Sequence, residues 1–381
     1  MNDKINTFPV GTQLLGRVLN ASGEAIDKQG PLTGIERVPL YRAAPGVAEG
    51  DKASLNQVLE TGIKVIDLLA PIPRGGIAGL FGNAGVGKLV VVEELMHNII
   101  TRHNGYVVCL GMGEGTYEAV ELMDAIREAE LEDKVVLLFE ELTESLEVRQ
   151  RMIQGGLTIA EHFRQQGHEV LLVVDRDKMA QGSLANTRVL RRMLREGGVT
   201  AILQGSEDDY WQFRQGDTLD DLDCQIVLTR KMTTRDLWPA VDRLLSSSRL
   251  LDSGAVDSEH VQVARRVLEV LRRYAELEMK EQQELSDADK ELARRAVKIQ
   301  YFFTQPFFVA EAYTEIPGEY VGVEETVKGF KELLEGRYED LPDKAFYFVG
   351  GVDEAIAKAG KEEKEEKEEK EEKEEEKEEK A

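Results

Sequence analysis

Residues 78–91, AGLFGNAGVGKLVV, are the stretch of this chain with the clearest potential for chemistry. The apolar run ending at Phe81 predicts a short buried strand, residues 82–87 form a glycine-rich turn, and the segment after Lys88 has a helical pattern. Glycines let successive backbone N–H groups converge on phosphate oxygens, and a helix N-terminus adds partial positive charge. The stretch therefore predicts a phosphate-binding loop with Lys88 on the terminal phosphates. A glycine-rich turn without a ligand is the simpler alternative.

One position departs from this pattern. The motif carries Ser or Thr after the lysine, because that hydroxyl ligates magnesium, and this chain has Leu89 there. A leucine side chain cannot ligate a metal, so phosphate binding is expected to survive while direct metal ligation at this corner is lost. The residues expected to surround the phosphates are Gly82, Asn83, Ala84, Gly85, Val86, Gly87, Lys88 and Leu89.

Three carboxylates are candidates for the rest of a phosphoryl-transfer site. Asp175 ends the apolar strand EVLLVVD, the place where a carboxylate holds magnesium through water, although apolar strands ending in Asp are common. Glu114 lies in the turn after the strand GYVVCLGMG and could orient an attacking water, and Glu118, one turn on, could reach the metal shell. A solvated helix N-terminus, where Glu is favoured by the helix dipole, explains both glutamates equally well.

Composition limits the class of protein. The 381 residues carry a net charge of −24, which argues against non-specific binding to nucleic acid or anionic lipid. Residues 361–380 hold 13 Glu and 7 Lys, so the remainder is acidic in its own right. Cys109 and Cys224, each within an apolar run, are expected to be buried thiols in a reducing compartment. The sequence has no apolar run long enough for a membrane helix and begins with neither a signal nor a transit peptide.

Apolar strands alternate with amphipathic helices after the loop, which predicts an α/β fold with a parallel sheet covered on both faces. Ligands of such sheets bind at the carboxyl ends of the strands. From about residue 250 long charged amphipathic helices follow one another, which predicts an all-helical C-terminal domain. We expect residues 1–50 to form an irregular segment with one or two short strands, packed on the nucleotide-binding domain of residues 51–250. The helical domain is expected over residues 251–358, and a charged low-complexity tail over residues 359–381.

Local patterns also predict individual elements. Residues 54–70 carry apolar side chains at helical spacing until Pro71, and residues 116–130, 146–166 and 184–197 are likewise predicted to be helices. The predicted strands are GYVVCLGMG, VVLLFE, EVLLVVD and VTAILQG.

The order and wording of the motifs resemble the beta subunit of the F-type ATP synthase. The resemblance runs from about Pro9 to Lys358 and includes TGIKVIDLLAP, GNAGVGK, LTIAEHFR, PAVDRLLSSSR, KIQYFFTQPFFVAE and DKAFYFVGG. In PAVDRLLSSS, the family signature is matched by Pro239, Asp242, Ser246 and Ser248. ELSDAD, at residues 284–289, resembles the acidic helix-loop that contacts the rotating shaft.

The resemblance implies roles for individual residues. Residues 82–88 would bind the phosphates of ATP or ADP, Glu114 would orient water, and Asp175 would sit in the Mg²⁺ shell with Glu118 nearby. The family has an aromatic adenine slot, and the matching positions are Trp238, Phe307 and Tyr313. Without the family context, these three aromatics would be read as core residues.

The chain also departs from the family. Gly115 replaces an arginine, and Met179 or Lys178 stands where a second arginine is expected. The segment between Asp175 and Asp223 is shorter than in the family, and the N-terminal β-barrel is expected to be lacking. Losing two cations together with the metal hydroxyl should lower turnover by orders of magnitude, because such groups stabilise developing charge.

Two hypotheses follow. The first is a catalytic beta-type subunit that makes or hydrolyses ATP in a hetero-hexameric ring with an alpha-type subunit and a central shaft, peripheral to the cytoplasmic side of the cell membrane. The second is a weakened or inactive nucleotide-binding paralogue with a structural or regulatory role, which Leu89 and the lost arginines favour. A hexameric motor for nucleic acid or protein export fits less well, because the acidic charge opposes a nucleic-acid track.

Overall fold

An eight-stranded central sheet organises the part of the chain that the structure describes. The structure, a computed structural model, describes residues 6–40, 56–111, 122–124, 126–128, 130–139, 145–175, 194, 199–215, 222–279 and 285–361. The strands of the sheet lie side by side in the order Ser247–Ser248, Cys224–Val227, Ile77–Phe81, Thr200–Gly205, Val170–Asp175, Tyr106–Leu110, Val135–Leu138 and Arg17–Leu19. All neighbouring strands are parallel except the first pair. This mostly parallel sheet with helices on both sides confirms the predicted α/β fold.

The strands are β1 (Thr7–Pro9), β2 (Arg17–Leu19), β3 (Arg37–Pro39), β4 (Val58–Leu59), β5 (Ile72–Pro73), β6 (Ile77–Phe81), β7 (Tyr106–Leu110), β8 (Val135–Leu138), β9 (Val170–Asp175), β10 (Thr200–Gly205), β11 (Cys224–Val227) and β12 (Ser247–Ser248). The longer helices are α1 (Lys64–Leu69), α2 (Lys88–Arg102), α3 (Leu146–Gln165), α4 (Glu207–Gln215), α5 (Ser258–Leu277), α6 (Asp287–Phe302), α7 (Val323–Leu334) and α8 (residues 352–361). Single α-helical turns occur at Arg230–Thr233, Leu250–Ser253 and Glu311–Thr314, and 3₁₀ turns at Thr12–Leu14, Glu132–Lys134, Phe308–Ala310 and Asp343–Phe346.

The sheet separates two apolar cores. Strand residues alternate between its faces, so Val107 and Cys109 of β7 enter one core while Val108 and Leu110 enter the other. The first core also contains side chains from α1, α2 and the C-terminal helices, and the second contains side chains from α3 and β1. Burying one large apolar side chain contributes about 1.5–3 kcal/mol, so these cores fix the sheet edge that carries the site.

The helix predicted over residues 54–70 is much shorter in the structure. Among the described residues 56–70, only Lys64–Leu69 is helical, and Val58–Leu59 instead pairs in antiparallel fashion with Ile72–Pro73. The carboxylate of Asp67 accepts hydrogen bonds from the Thr61 N–H (2.9 Å) and the Gly62 N–H (2.8 Å). A long-range strand pair and a side chain that satisfies the turn therefore override the local helical spacing.

The N-terminal segment has more strand than predicted. Three short strands lie within residues 6–40, where one or two were expected: β1 pairs with β3, and β2 adds to the edge of the main sheet beside β8. Phe8 is fully buried in the second core, so the segment packs on the sheet domain, as predicted.

The remaining element predictions are confirmed where the structure describes them. The four predicted strands correspond to β7, β8, β9 and β10, and residues 146–166 correspond to α3. Residues 122–124 and 126–128 are helical, in agreement with the helix predicted over 116–130. The described residues 249–279 and 285–361 contain helices and turns without a strand. Most of the helix predicted over 184–197 and nearly all of the charged tail lie outside the described residues.

Both cysteines are buried free thiols, as predicted. Burial raises the pKa of Cys109 to about 12, so its thiol stays protonated at neutral pH. Among the described residues, no helix combines the length and apolar character needed to cross a bilayer.

Candidate functional site

The predicted order of strand, glycine-rich turn and helix is present. Strand β6 ends at Phe81, residues 82–87 turn, and α2 begins at Lys88. Gly85 and Gly87 have φ angles of +79° and +86°, a left-handed conformation that glycine adopts without steric cost. The first turn of a helix leaves its N–H groups without intrahelical acceptors, so the start of α2 presents donors to an anion.

Lys88 lies against the neighbouring strand. Its Nζ donates to the carbonyl oxygen of Gly205, the last residue of β10, at 3.0 Å. The same carbonyl accepts from the N–H of Gly82 at 3.2 Å, so the turn is fastened to β10 at its beginning and at the lysine. The ammonium group is thereby held at the carboxyl edge of the sheet, where parallel-sheet ligands bind.

Asp175 lies along the same edge. It is the final residue of β9, and its Cα is in register with Gln204 of β10. Because β10 is the single strand between β6 and β9, two strand spacings, roughly 10 Å, separate the loop strand from the Asp175 strand. Glu114 and Glu118 lie outside the described residues, and their roles stay predictions. Within the described ranges, no group of three or more His, Cys, Asp or Glu side chains forms a metal-binding cluster.

Leu89 presents apolar surface at the position where the motif has a hydroxyl. Its side chain is 47% exposed, although it stands in the first turn of α2. The chemistry of this donor set fits nucleotide phosphates, through Lys88 and the loop, and fits a magnesium ion held through water at Asp175. It does not fit direct magnesium ligation by the residue after the lysine.

A carboxylate that the sequence reasoning missed touches the loop. Glu207 Oε2 accepts from Asn83 Nδ2 at 2.8 Å, and Glu207 begins α4 two residues after the end of β10. The signal was available, because residues just past a parallel strand face the same edge as the loop. A nucleotide phosphate bound at residues 82–88 would therefore approach a negative charge.

Changing Glu207 to glutamine is expected to tighten ADP binding several-fold when magnesium is chelated. The amide oxygen of glutamine can still accept from Asn83, while the like charge is removed. Two unit charges about 4 Å apart interact by about 1 kcal/mol in water and by more where the protein lowers the effective dielectric constant. Fluorescence titration with ADP in the presence of a chelator measures the gain in affinity. Repeating the titration at low and at high salt shows how far salt screens the charge effect. Asp208→Asn, at the exposed neighbouring acid, is the control, and an equal gain there would reduce the effect to overall charge.

An apolar cavity of about 190 Å³ adjoins the loop. An apolar cavity of about 150 Å³ accepts one benzene ring, so this one has room for a larger aromatic group. It is lined by Val86, Gly87, Val90, Val91, Trp238, Pro239, Ala240, Gln305, Phe307, Ala310, Thr314 and Phe348. Because the phosphate loop itself forms one wall, a nucleotide with its phosphates at Lys88 has its base within reach of the cavity.

The structure brings two of the three predicted aromatic residues to this cavity. Trp238 and Phe307 line it, and a Cβ on Gly87 would lie 3.3 Å from the Trp238 ring, so the loop and the indole are in close contact. Tyr313 does not line it, and its side chain is 89% exposed. Thr314 and Phe348 line the cavity as well. The part of Tyr313 in nucleotide binding stays a prediction.

Polar groups in the cavity wall are already engaged within the protein. The amide of Gln305 donates to Gly62 O and Glu319 O, both at 2.6 Å, and accepts from Lys64 N–H at 2.9 Å. The indole N–H of Trp238 donates to Asp236 Oδ1 at 2.9 Å. An aromatic group that entered this cavity would therefore be held mainly by stacking and shape.

The signature segment PAVDRLLSSS positions the Trp238 side of the cavity. Asp242 Oδ1 accepts from the N–H groups of Leu244 (3.0 Å) and Leu245 (3.2 Å), and Ser246 Oγ accepts from the Val227 N–H at 3.0 Å. Ser248 Oγ donates to Pro71 O at 2.6 Å. Through these hydrogen bonds the segment is attached to Val227 at the end of β11 and to Pro71, the residue directly before β5.

A buried glutamate joins the loop helix to the cavity wall. Glu94 of α2 is fully buried, and its Oε2 accepts from the N–H of Val309 at 3.3 Å, two residues after Phe307. Burial raises the pKa of Glu94 to about 7. Because the folded state holds this proton more tightly than the unfolded chain, the contribution to stability is full below about pH 4 and is lost as pH rises through about 7.

Glu94→Gln is therefore expected to raise the free energy of unfolding at pH 8 by up to roughly 3 kcal/mol and to change it little at pH 4. Glutamine fills the same volume and can still accept from Val309, but it carries no charge to be desolvated. Urea denaturation of the full chain across this pH range measures the difference. The exposed Glu324→Gln is the control, and a gain at pH 8 no larger than the control's would contradict the assignment.

Comparison with known protein families matches this part of the chain. Residues 62–183 match the model of the ATP synthase alpha/beta family, nucleotide-binding domain. The matched segment contains the glycine-rich loop, α2 and Asp175. Lys88 and Asp175, which lie at the carboxyl edge of the sheet, are therefore both within the matched range. Residues 62–183 are therefore similar to the nucleotide-binding domain of this family.

Proposed function

We propose that this protein is a beta-type subunit of a rotary ATPase, which binds ATP and ADP with Mg²⁺ and catalyses ATP hydrolysis or synthesis in a ring coupled to ion translocation. The observation that carries the proposal is the shared wall between the phosphate loop and the aromatic cavity. Val86, Gly87 and Val90 line the cavity, while Lys88 lies at the carboxyl edge of the sheet. One nucleotide can therefore place its phosphates at Lys88 and its base between Trp238 and Phe307.

The proposed roles follow from chemistry and position. Lys88 and the N–H groups of the loop bind the terminal phosphates, and Trp238 and Phe307 stack on the base; Tyr313 is proposed to join them on the resemblance alone. Asp175, and on the resemblance Glu118, would hold a magnesium ion through water, and the ion would supply neutralisation of phosphate charge. Glu114 orients the attacking water.

The proposed assembly is a hetero-hexameric ring with an alpha-type subunit around a central shaft, peripheral to the cytoplasmic side of the membrane. The family similarity of residues 62–183 supports this context. The acidic net charge of −24 supports protein partners over nucleic acid.

A second function is favoured by the side chain of Leu89. This exposed apolar side chain stands where the motif has the hydroxyl that ligates magnesium. The chain therefore also fits a nucleotide-binding subunit that occupies or regulates a ring and hydrolyses little ATP. In that case nucleotide affinity is kept while the chemical step is slow.

The test combines binding with turnover. A fluorescent ADP analogue is titrated into the full chain, and ATP hydrolysis is measured after co-expression with the cognate alpha-type and shaft subunits. Binding with turnover supports the catalytic subunit, and binding without turnover supports the regulatory paralogue. Absence of nucleotide binding would overturn both.

A further inference from the structure

Phe348 closes the nucleobase cavity from the C-terminal region. It lines the same cavity as Val86 and Gly87 of the loop, although it lies more than 250 residues further along the chain. Its ring also packs on Tyr347, with ring centroids 4.7 Å apart. The ring is therefore placed to contact a base that enters the cavity.

The backbone of Phe348 is in a conformation that its residue type disfavours. Its φ of +52° lies in the left-handed region, where a Cβ crowds the following carbonyl oxygen and makes the conformation unfavourable. A strained backbone conformation persists only where the surrounding structure holds it in place, and such residues are concentrated at ligand sites. The strain therefore needs both a structural cause and a reason to be retained.

The structural cause is a set of side chains that hold this backbone. Thr304 Oγ1 accepts from the Phe348 N–H at 2.8 Å. Lys64 Nζ donates to Val349 O at 2.6 Å and to Gly350 O at 2.9 Å, and the whole Lys64 side chain is buried. The two residues after Phe348 are therefore fixed by a single ammonium group.

Further contacts complete the hold on either side. Lys358 Nζ donates to Tyr347 O at 2.7 Å, and Glu354 Oε2 accepts from the Gly350 N–H at 2.6 Å. Both come from α8, so one helix and the start of α1 together fix residues 347–350.

We propose that Phe348 is an aromatic wall of the nucleobase site that favours purine over pyrimidine nucleotides, and that Lys64 is the positioning residue that holds it there. The inference rests on the proposed nucleotide binding. Two fused rings gain more stacking contact with an aromatic side chain than one ring does. The cavity is larger than one that accepts a single ring, so it has room for the second ring of a purine.

The test separates base recognition from phosphate binding. The full-length chain and its variants are titrated with ADP, with UDP and with inorganic tripolyphosphate, which has no base. Phe348→Gly is the main variant, because glycine adopts the left-handed conformation freely and relieves strain while the ring is removed. Phe348→Leu keeps apolar volume without the ring face. Phe308→Leu is the matched control, since Phe308 is half-buried beside Phe307 but stacks on His97 outside the cavity.

Phe348→Gly is expected to weaken ADP binding about tenfold and to reduce the preference for ADP over UDP, with tripolyphosphate binding unchanged within twofold. Phe348→Leu should show a smaller loss of the same kind. Lys64→Met should show the same base-specific loss, whereas general destabilisation would lower affinity for all three ligands alike. ADP affinity within twofold of wild type in both Phe348 variants, or an equal loss for tripolyphosphate, would overturn the inference.

The two proposals fail in different ways. Binding of ADP that depends on Lys88 but is indifferent to Phe348 overturns this inference and leaves the proposed function standing. Absence of ADP binding by the wild-type chain, or binding that is indifferent to Lys88→Ala, overturns the proposed function and this inference with it.

Discussion

Lys88→Ala is expected to weaken binding of ADP to this protein by about 100-fold. Charge-assisted hydrogen bonds contribute about 1.5–3 kcal/mol each, and every 1.4 kcal/mol changes the dissociation constant tenfold. The ammonium group of Lys88 is held by Gly205 O at the carboxyl edge of the sheet, so it is pre-positioned for a phosphate. Equilibrium titration with ADP, followed by the emission of Trp238 and Trp211, measures the loss.

The variant is expected to fold. Gly205 O keeps a partner in the Gly82 N–H when the lysine is removed, so no buried carbonyl is left without a donor. Lys134→Ala is the control, because Lys134 directly precedes β8 and therefore lies at the opposite, amino edge of the sheet. If ADP affinity in Lys88→Ala stays within threefold of wild type, the glycine-rich segment is a turn without a ligand, and the proposed function is wrong.

The strand, glycine-rich turn and helix around Lys88 were predictable because their signal is local. Residues 77–102 contain the whole strand, turn and helix, and the glycines at 85 and 87 adopt the left-handed φ that the motif requires. The sheet and its coverage by helices were predictable for a similar reason, since buried parallel strands are uniform apolar runs. Each of these features depends on residues that are close together in the sequence.

The errors came from contacts between distant segments. The helix expected over 54–70 is cut short because Val58–Leu59 pairs with Ile72–Pro73, which no spacing rule within the segment reveals. The third strand of the N-terminal segment forms by pairing as well. Elements of two or three residues have little periodicity, so their existence depends on partners.

The lining of the apolar cavity beside the loop was partly predictable, while the role of its aromatic residues in base binding stays a prediction. The resemblance placed Trp238 and Phe307, which do line the cavity, and Tyr313, whose ring is exposed. Phe348 was missed because its position depends on Lys64 and Thr304, far away in sequence, and on a strained backbone that the composition of DKAFYFVGG does not reveal. Glu207 was missed for a different reason: a glutamate in the first turn of a helix is common, and only its contact with Asn83 distinguishes it.

Leu89→Thr is expected to make nucleotide binding more dependent on magnesium, with a gain of about tenfold in ADP affinity when the ion is present and little change when it is chelated. A hydroxyl at this position supplies the oxygen ligand that a leucine cannot, and tenfold corresponds to about 1.4 kcal/mol. Leu89 is 47% exposed, so the exchange removes little buried apolar contact, and stability is expected to be preserved. ADP titrations with and without Mg²⁺, together with Mn²⁺ binding followed by electron paramagnetic resonance, measure the gain.

Leu89→Val is the matched control, because valine has the shape of threonine without the hydroxyl. A gain in threonine but not in valine assigns the effect to metal ligation, and any rise in ATP hydrolysis by the threonine variant within the ring then identifies Leu89 as the residue that limits turnover. Equal behaviour of the two variants would mean that the metal is held entirely by phosphate oxygens, water and carboxylates such as Asp175. In that case the leucine is compatible with full catalysis, and the regulatory alternative loses the observation that favours it.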